Sequence, residues 1–316
     1  MEKKYAQNTN TILMIQPVSF RYNEQTAVNN YYQKALENLT ADNAQEKALK
    51  EFNAFVTKLR AKGINVITIE DTKIPDTPDS IFPNNWISFH ENGSVGLYPM
   101  YAKNRRLERR EDILDHLEEK GFIINNTTDY TEAEQENIFL EGTGSMILDR
   151  ENRKAYLAVS PRSDEDLFIE FCEDFEFTPV LFKSYQTVEN RRELIYHTNV
   201  MMCIADQYAV ICLDSIDDSK EKQHVTNSLT ENGKEIISIT ESQVNQFAGN
   251  MLQVQGSDSN YLIMSSAAYN SLTKEQVETI EKYNPIIHSD LSVIETCGGG
   301  SARCMMAEVF LPISSK

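Results

Sequence analysis

The chain has 316 residues, 41% of them apolar and 25% charged, an ordinary globular composition. Its formal net charge of −18 argues against nucleic acid or an anionic membrane as ligand, since both require a basic surface. No apolar run approaches the roughly 20 residues of a membrane span, and the N-terminus lacks a secretory signal.

Five cysteines, an odd number without a CxxC pair, argue against both a disulfide framework and a structural zinc site. A reducing cytoplasm is the expected setting. Cys203 and Cys212 fall in strand-like apolar runs and read as packing residues.

In chain order, Ile12–Ile15 reads as a first strand. A long helical pattern over about Thr26–Lys62 precedes the strand INVITIE. A weak internal repeat follows: a short polar motif, a strand, a turn and often a second strand. Its five copies are PNNWISFHENGSVGLYPM, LEGTGSMILDRENRKAYLAVS, YHTNVMMCIADQYAVICL, AGNMLQVQGSDSNYLIMS and SARCMMAEVFLP. ENGS and DREN read as hairpin turns. Helical patterns at Arg106–Lys120, Ser163–Phe175 and Thr273–Tyr283 separate several copies.

The polar residues heading the copies are Asn85, Glu141, His197, Asn250 and Cys304, separated by 56, 56, 53 and 54 residues. Units of about 55 residues with strands and a helix imply a closed, pseudo-symmetric α/β architecture. In such an architecture the five heads converge on one pocket.

In CGGGSARCM, Gly298–Gly300 are unsuited to the interior of a helix or strand and allow close backbone approach. Cys304 then enters the following strand beside an open loop, a place for an accessible thiolate. His197 shares its phase in the repeat, and a cysteine nucleophile needs such a base or acid. The other histidines, His90, His116, His224 and His288, read as exposed helix or loop residues. Glu141 in LEGTGSM can orient the histidine or bind a substrate nitrogen. Asp79 in PDSIFPNNW suits either a turn or a functional role. Arg162 in SPRSDED can grip a carboxylate, while Ser163 or Asp164 caps the next helix.

Taken together these motifs resemble the guanidino-group-modifying enzymes: arginine deiminases, dimethylarginine dimethylaminohydrolases, succinylarginine dihydrolases and amidinotransferases. FPNNW, FLEGTGSM, YHTNV and CGGGSARCM are most similar to an amidinotransferase-like branch, also labelled citrulline utilisation hydrolase. The resemblance implies a five-bladed α/β propeller (the pentein fold) in a single catalytic domain over residues 1–316, with no metal or organic cofactor. It implies Cys304 as nucleophile, His197 as proton donor and acceptor, and Glu141 as orienting carboxylate. It also implies substrate contact by Asp79 and pairing of Arg162 with the substrate's α-carboxylate. The partner is then a small-molecule amino acid, and homo-oligomerisation stays open.

Arginine deiminases carry carboxylates where this chain has Asn85 and Asn199, and relatives often carry EGGD where it has EGTG. A cationic guanidinium is best held by carboxylates, whereas a neutral ureido group suits amides. The expectation is hydrolysis of citrulline to ornithine, ammonia and carbon dioxide. Alternatives are arginine or methylarginine hydrolysis, amidino transfer, and a non-catalytic binding protein on the same fold.

Overall fold

The computed structural model describes residues 5–35 and 40–314. Thr11–Gln16, rich in β-branched and apolar residues, pairs in parallel with Asn65–Glu70 and antiparallel with Ala307–Glu308. The crossover between the parallel strands carries the helix Ala41–Arg60. Thr40 caps it by accepting from Asn43 N, and Ala44, Ala48, Phe52, Phe55 and Leu59 form its buried face. The long helical pattern is therefore realised only in its second half. Glu24–Ala27 is a separate short helix capped by Asn23, and residues 36–39 of the expectation lie outside the described residues. Between these pieces Asn30 bonds the backbone oxygens of Gly298 and Gly299, an alternative to helix for an amide side chain.

Four more three-stranded sheets repeat one pattern: an antiparallel hairpin, then a third strand parallel to the second. Their hairpins are Ile87–Phe89 with Ser94–Leu97, Met146–Asp149 with Lys154–Ala158, Met202–Ile204 with Tyr208–Ile211, and Leu252–Gln255 with Asn260–Ser265. The third strands are Asn126–Asp129, Thr178–Phe182, Glu235–Ser238 and Ile286–Ser289. Helices Asp112–Glu119, Glu165–Asp174, Ser219–Thr230 and Lys274–Glu281 lie in the crossovers, as parallel pairing requires. Asp164 and Thr273 cap two of them. An extra hairpin, Tyr185–Val188 with Arg191–Leu194, follows the third strand of the Met146–Asp149 sheet. The sheets are separate, and none among the described residues closes on itself.

The repeat heads do not begin the strands themselves. Asn85 closes the 3-10 turn Pro83–Asn85, and His197 flanks the turn Thr198–Val200. Glu141 precedes the single turn Gly142–Ser145, and Cys304 sits in Ala302–Met305. The polar side chain at each of these turns is buried. The final copy is shorter in strand than expected, since only Ala307–Glu308 pairs. His90 is a further departure. It is buried, stacked on Phe175 at 4.1 Å, and its Nε2 is satisfied by Ser88 Oγ at 2.8 Å.

No helix among the described residues is long and apolar enough to cross a membrane.

Candidate active site

The helix Ser292–Gly298 ends at Gly299, whose φ of 64° is the left-handed conformation favoured by glycine. A Cβ on Gly298 or Gly300 would come within 2.8 or 2.9 Å of the Phe82 ring. The triglycine segment is therefore a close approach to Phe82, and it carries the chain to Cys304. Cys304 N donates to Ser301 O at 3.0 Å. Its Sγ accepts from Asn199 Nδ2 at 3.4 Å and Asn250 Nδ2 at 3.3 Å. The thiol is 3% exposed, in contrast to the accessible strand end expected from sequence. The reason is the 3-10 turn, which folds Cys304 inward against two amides.

Glu141 and His197 are both buried, with His197 Nε2 2.7 Å from Glu141 Oε2. The second carboxylate oxygen accepts from Tyr101 N at 2.9 Å, and Arg162 Nη1 lies 3.5 Å from Oε2. Burial opposes the Glu141 charge, but Arg162 and the His197 hydrogen bond outweigh it and hold the carboxyl at about 2. Burial lowers His197 to about 4, with Glu141 pulling the other way. At neutral pH the pair is thus a carboxylate and a neutral imidazole, with Arg162 balancing the anion. A carboxylate only accepts, so Nε2 carries the proton and Nδ1 presents a lone pair. Nδ1 lies beside Gly144, where a Cβ would stand 2.8 Å from it and 2.3 Å from Asn85 Nδ2.

Arg162 is buried. Its Nε donates to Asn29 Oδ1 at 2.9 Å and its Nη2 to Thr26 O at 2.8 Å. Its guanidinium stacks over the Tyr196 ring at 4.9 Å. Asn29 and Thr26 come from a segment more than a hundred residues away and were not foreseen. Asp164 accepts from Leu167 N and caps the helix, so in SPRSDED the cap and the arginine use different residues.

Asp79 accepts through Oδ2 from Asn23 Nδ2 at 2.7 Å and Thr26 Oγ1 at 3.1 Å, while its buried Oδ1 has no partner. Burial raises its carboxyl, with Arg105 pulling it down. Asn85 Oδ1 accepts from Arg105 Nη1 at 2.8 Å. Asn85 Nδ2 and Asn199 Oδ1 are likewise buried and unpartnered. Buried polar atoms normally find partners, so the orphans of Asp79 and Asn85, which share one cavity, ask for a ligand.

Cys304, His197, Asp79, Asn85 and Arg162 line a common cavity. Glu141 and Asn199 lie behind it, on His197 and Cys304 respectively. All seven expected site residues therefore belong to one region. Arg105, Tyr196 and Asn30 also line the cavity and were missed, as was the contact of Asn250 with the thiol. Arg105 directly precedes the helical pattern Arg106–Lys120 and is one of four arginines, Arg105, Arg106, Arg109 and Arg110, within six residues. Its burial with Glu108 is the distinguishing feature, and that is a tertiary fact. Among the described residues no group of three or more His, Cys, Asp or Glu side chains could hold a metal ion.

The family described as N,N dimethylarginine dimethylhydrolase, eukaryotic, matches residues 16–311. The chain belongs to this family, and with it to the guanidino-group-modifying (pentein) superfamily.

Among solved structures, the N-terminal domain of ArgZ covalently bound to a reaction intermediate is 21% identical with a TM-score of 0.71, covering 96% of this chain and 99% of that one. Apo ArgZ, described as an arginine dihydrolase from the ornithine-ammonia cycle in Cyanobacteria, is 20% identical with a TM-score of 0.71. The match covers 96% of this chain but only 41% of that longer protein. A dimethylarginine dimethylaminohydrolase adduct with S-methyl-L-thiocitrulline is 14% identical, with a TM-score of 0.62 over 94% of this chain and 98% of that one. These likenesses establish an α/β fold similar to pentein structures. A search of curated proteins gave no match.

Proposed function

We propose that the protein is a cysteine-dependent hydrolase of the ureido group of an arginine-like amino acid, with citrulline as substrate. The observation that carries the substrate is the unpartnered donor Nδ2 of Asn85, a residue that lines the cavity together with Cys304. A ureido oxygen can accept from it. A guanidinium, which only donates, leaves it unpaired. Asp79 Oδ1 is a complementary acceptor for ureido or amino N–H groups.

Cys304 Sγ attacks the ureido carbon, and the C–N bond to the ornithine side chain breaks. His197 Nδ1 takes the thiol proton and returns it to the departing amine, which leaves as ornithine. The remaining S-carbamoyl enzyme is hydrolysed by water, deprotonated by the same imidazole, to carbamic acid, which yields ammonia and carbon dioxide. A neutral His197 is the form that can accept the thiol proton, so the neutral substrate need not stabilise a pre-formed thiolate. Glu141 fixes the imidazole orientation and stabilises the imidazolium as it forms. Arg162 pairs with the α-carboxylate through Nη1. The five sheets act as blades of one propeller, residues 1–316 forming a single catalytic unit.

A second reading, hydrolysis of arginine, is favoured by the acceptor Asp79 Oδ1, which also suits guanidinium N–H groups. The two are separated by incubating the purified protein with citrulline or arginine and following ornithine, citrulline and ammonia. Ornithine and ammonia from citrulline, with arginine inert, supports the ureido reading. Citrulline or ornithine from arginine, with free citrulline inert, overturns it.

A further inference from the structure

The Arg105 guanidinium is buried and anchored side-on to Glu108: Nε donates to Oε1 and Nη2 to Oε2, each at 2.9 Å. The two residues are three apart in the 3-10 turn Arg105–Glu108, where side chains at that spacing eclipse. A planar guanidinium held at two corners has its third corner fixed in direction. That corner, Nη1, donates to Asn85 Oδ1 at 2.8 Å. Nη2 also donates to Phe82 O at 3.1 Å, so the same cation grips the loop that carries Asn85.

The consequence concerns an amide that is otherwise free to turn over. Rotating the Asn85 amide by half a turn would set its Nδ2 against the Nη1 donor, two N–H groups facing each other in a buried site. Arg105 therefore admits only the orientation in which Asn85 Nδ2 faces away from it.

We infer that Arg105, fixed by Glu108, is a specificity-positioning residue: by holding Asn85 Oδ1 it makes Asn85 a donor to the substrate and selects a substrate atom that accepts. This rests on the proposed ureido chemistry and deepens it. Arg105 acts through Asn85 and takes no part in bond making. Asn85→Asp should reverse the selection, because a carboxylate can satisfy Arg105 with one oxygen and offer the other as acceptor.

The test is calorimetric binding of citrulline and of arginine to protein carrying Cys304→Ala, which prevents turnover. Arg105→Lys keeps the charge opposite Glu108 but has no fork to hold Asn85. It should reduce the citrulline-over-arginine affinity ratio about tenfold or more. In an Asn85→Asp background the same change should leave the ratio unaltered, whereas a merely structural role would weaken both ligands alike in either background. Should Arg105→Lys fail to fold, Glu108→Gln, which loosens the anchor and leaves the guanidinium present, should move the ratio the same way. An unchanged ratio with citrulline still preferred overturns the inference and leaves the ureido reading standing. Preference for arginine before any change at Arg105 overturns both.

Discussion

His197 Nε2 lies 2.7 Å from Glu141 Oε2, although the two residues are 56 apart in the chain. Each occupies the same position in successive repeats, so one structural period brings base and carboxylate together. The contact fixes the imidazole tautomer and leaves Nδ1 as the basic atom.

Glu141→Gln removes the anion while conserving volume. It takes away the partner of the developing imidazolium and leaves Arg162 without its counter-charge. Steady-state kinetics at neutral pH should show kcat reduced on the order of 100-fold or more. Chemical denaturation should show a loss of about 3–5 kcal/mol, the usual cost of leaving a buried charge unpaired.

The pair also sets the acid response. Folded His197 titrates at about 4 against an ordinary 6.5, so between those values the unfolded chain holds the extra proton. Its contribution makes stability fall as pH drops from 6.5 towards 4 and stay level above 6.5. The Glu141 contribution is fully present above the ordinary 4.5 and is lost as pH falls through about 2. Urea midpoints from pH 8 to 4 should therefore decline less steeply for His197→Gln than for the native protein. Parallel curves would show that His197 is not held neutral by burial.

Gly144 provides the room beside the imidazole. An added Cβ would lie 2.3 Å from Asn85 Nδ2 and 2.8 Å from His197 Nδ1. Gly144→Ala should cost about 1–3 kcal/mol in stability, typical of overpacking. It should reduce kcat/KM by on the order of 100-fold, since misplacement of about 1 Å is enough for that.

Asn250 Nδ2 donates to Cys304 Sγ at 3.3 Å, and its Oδ1 accepts from Arg303 N at 3.0 Å. Asn250→Leu should slow iodoacetamide alkylation of Cys304 about tenfold at fixed pH, as loss of one charge-assisted bond implies. Peptide mapping of the alkylated site against time checks this, and an unchanged rate would mean that Asn250 only holds the turn.

Much of this was legible in the sequence because the repeat is local. Asn85, Glu141, His197 and Cys304 were found from their spacing, and the hairpins at ENGS and DREN from turn residues between β-rich runs, whereas the hairpin Tyr185–Val188 with Arg191–Leu194 was not foreseen. Strand and helix patterns need only near neighbours, so Ala41–Arg60 and Lys274–Glu281 fall inside their expected spans. The single turns that invert the repeat heads were not legible, because Pro83–Asn85 and Ala302–Met305 are too short to show a period. Nor was the setting of Arg162, whose partners Thr26 and Asn29 come from a distant segment that propensity read as helix. Arg105 was hidden among similar arginines, since only tertiary contact with Asn85 and Glu108 tells it from Arg106.

Acid-quenched mass spectrometry of the protein during turnover of citrulline tests covalent catalysis by Cys304 most directly. A mass increase of one carbamoyl group on the peptide containing Cys304, absent in Cys304→Ala together with ornithine formation, is the expected result. Undiminished ornithine formation by Cys304→Ala would contradict it.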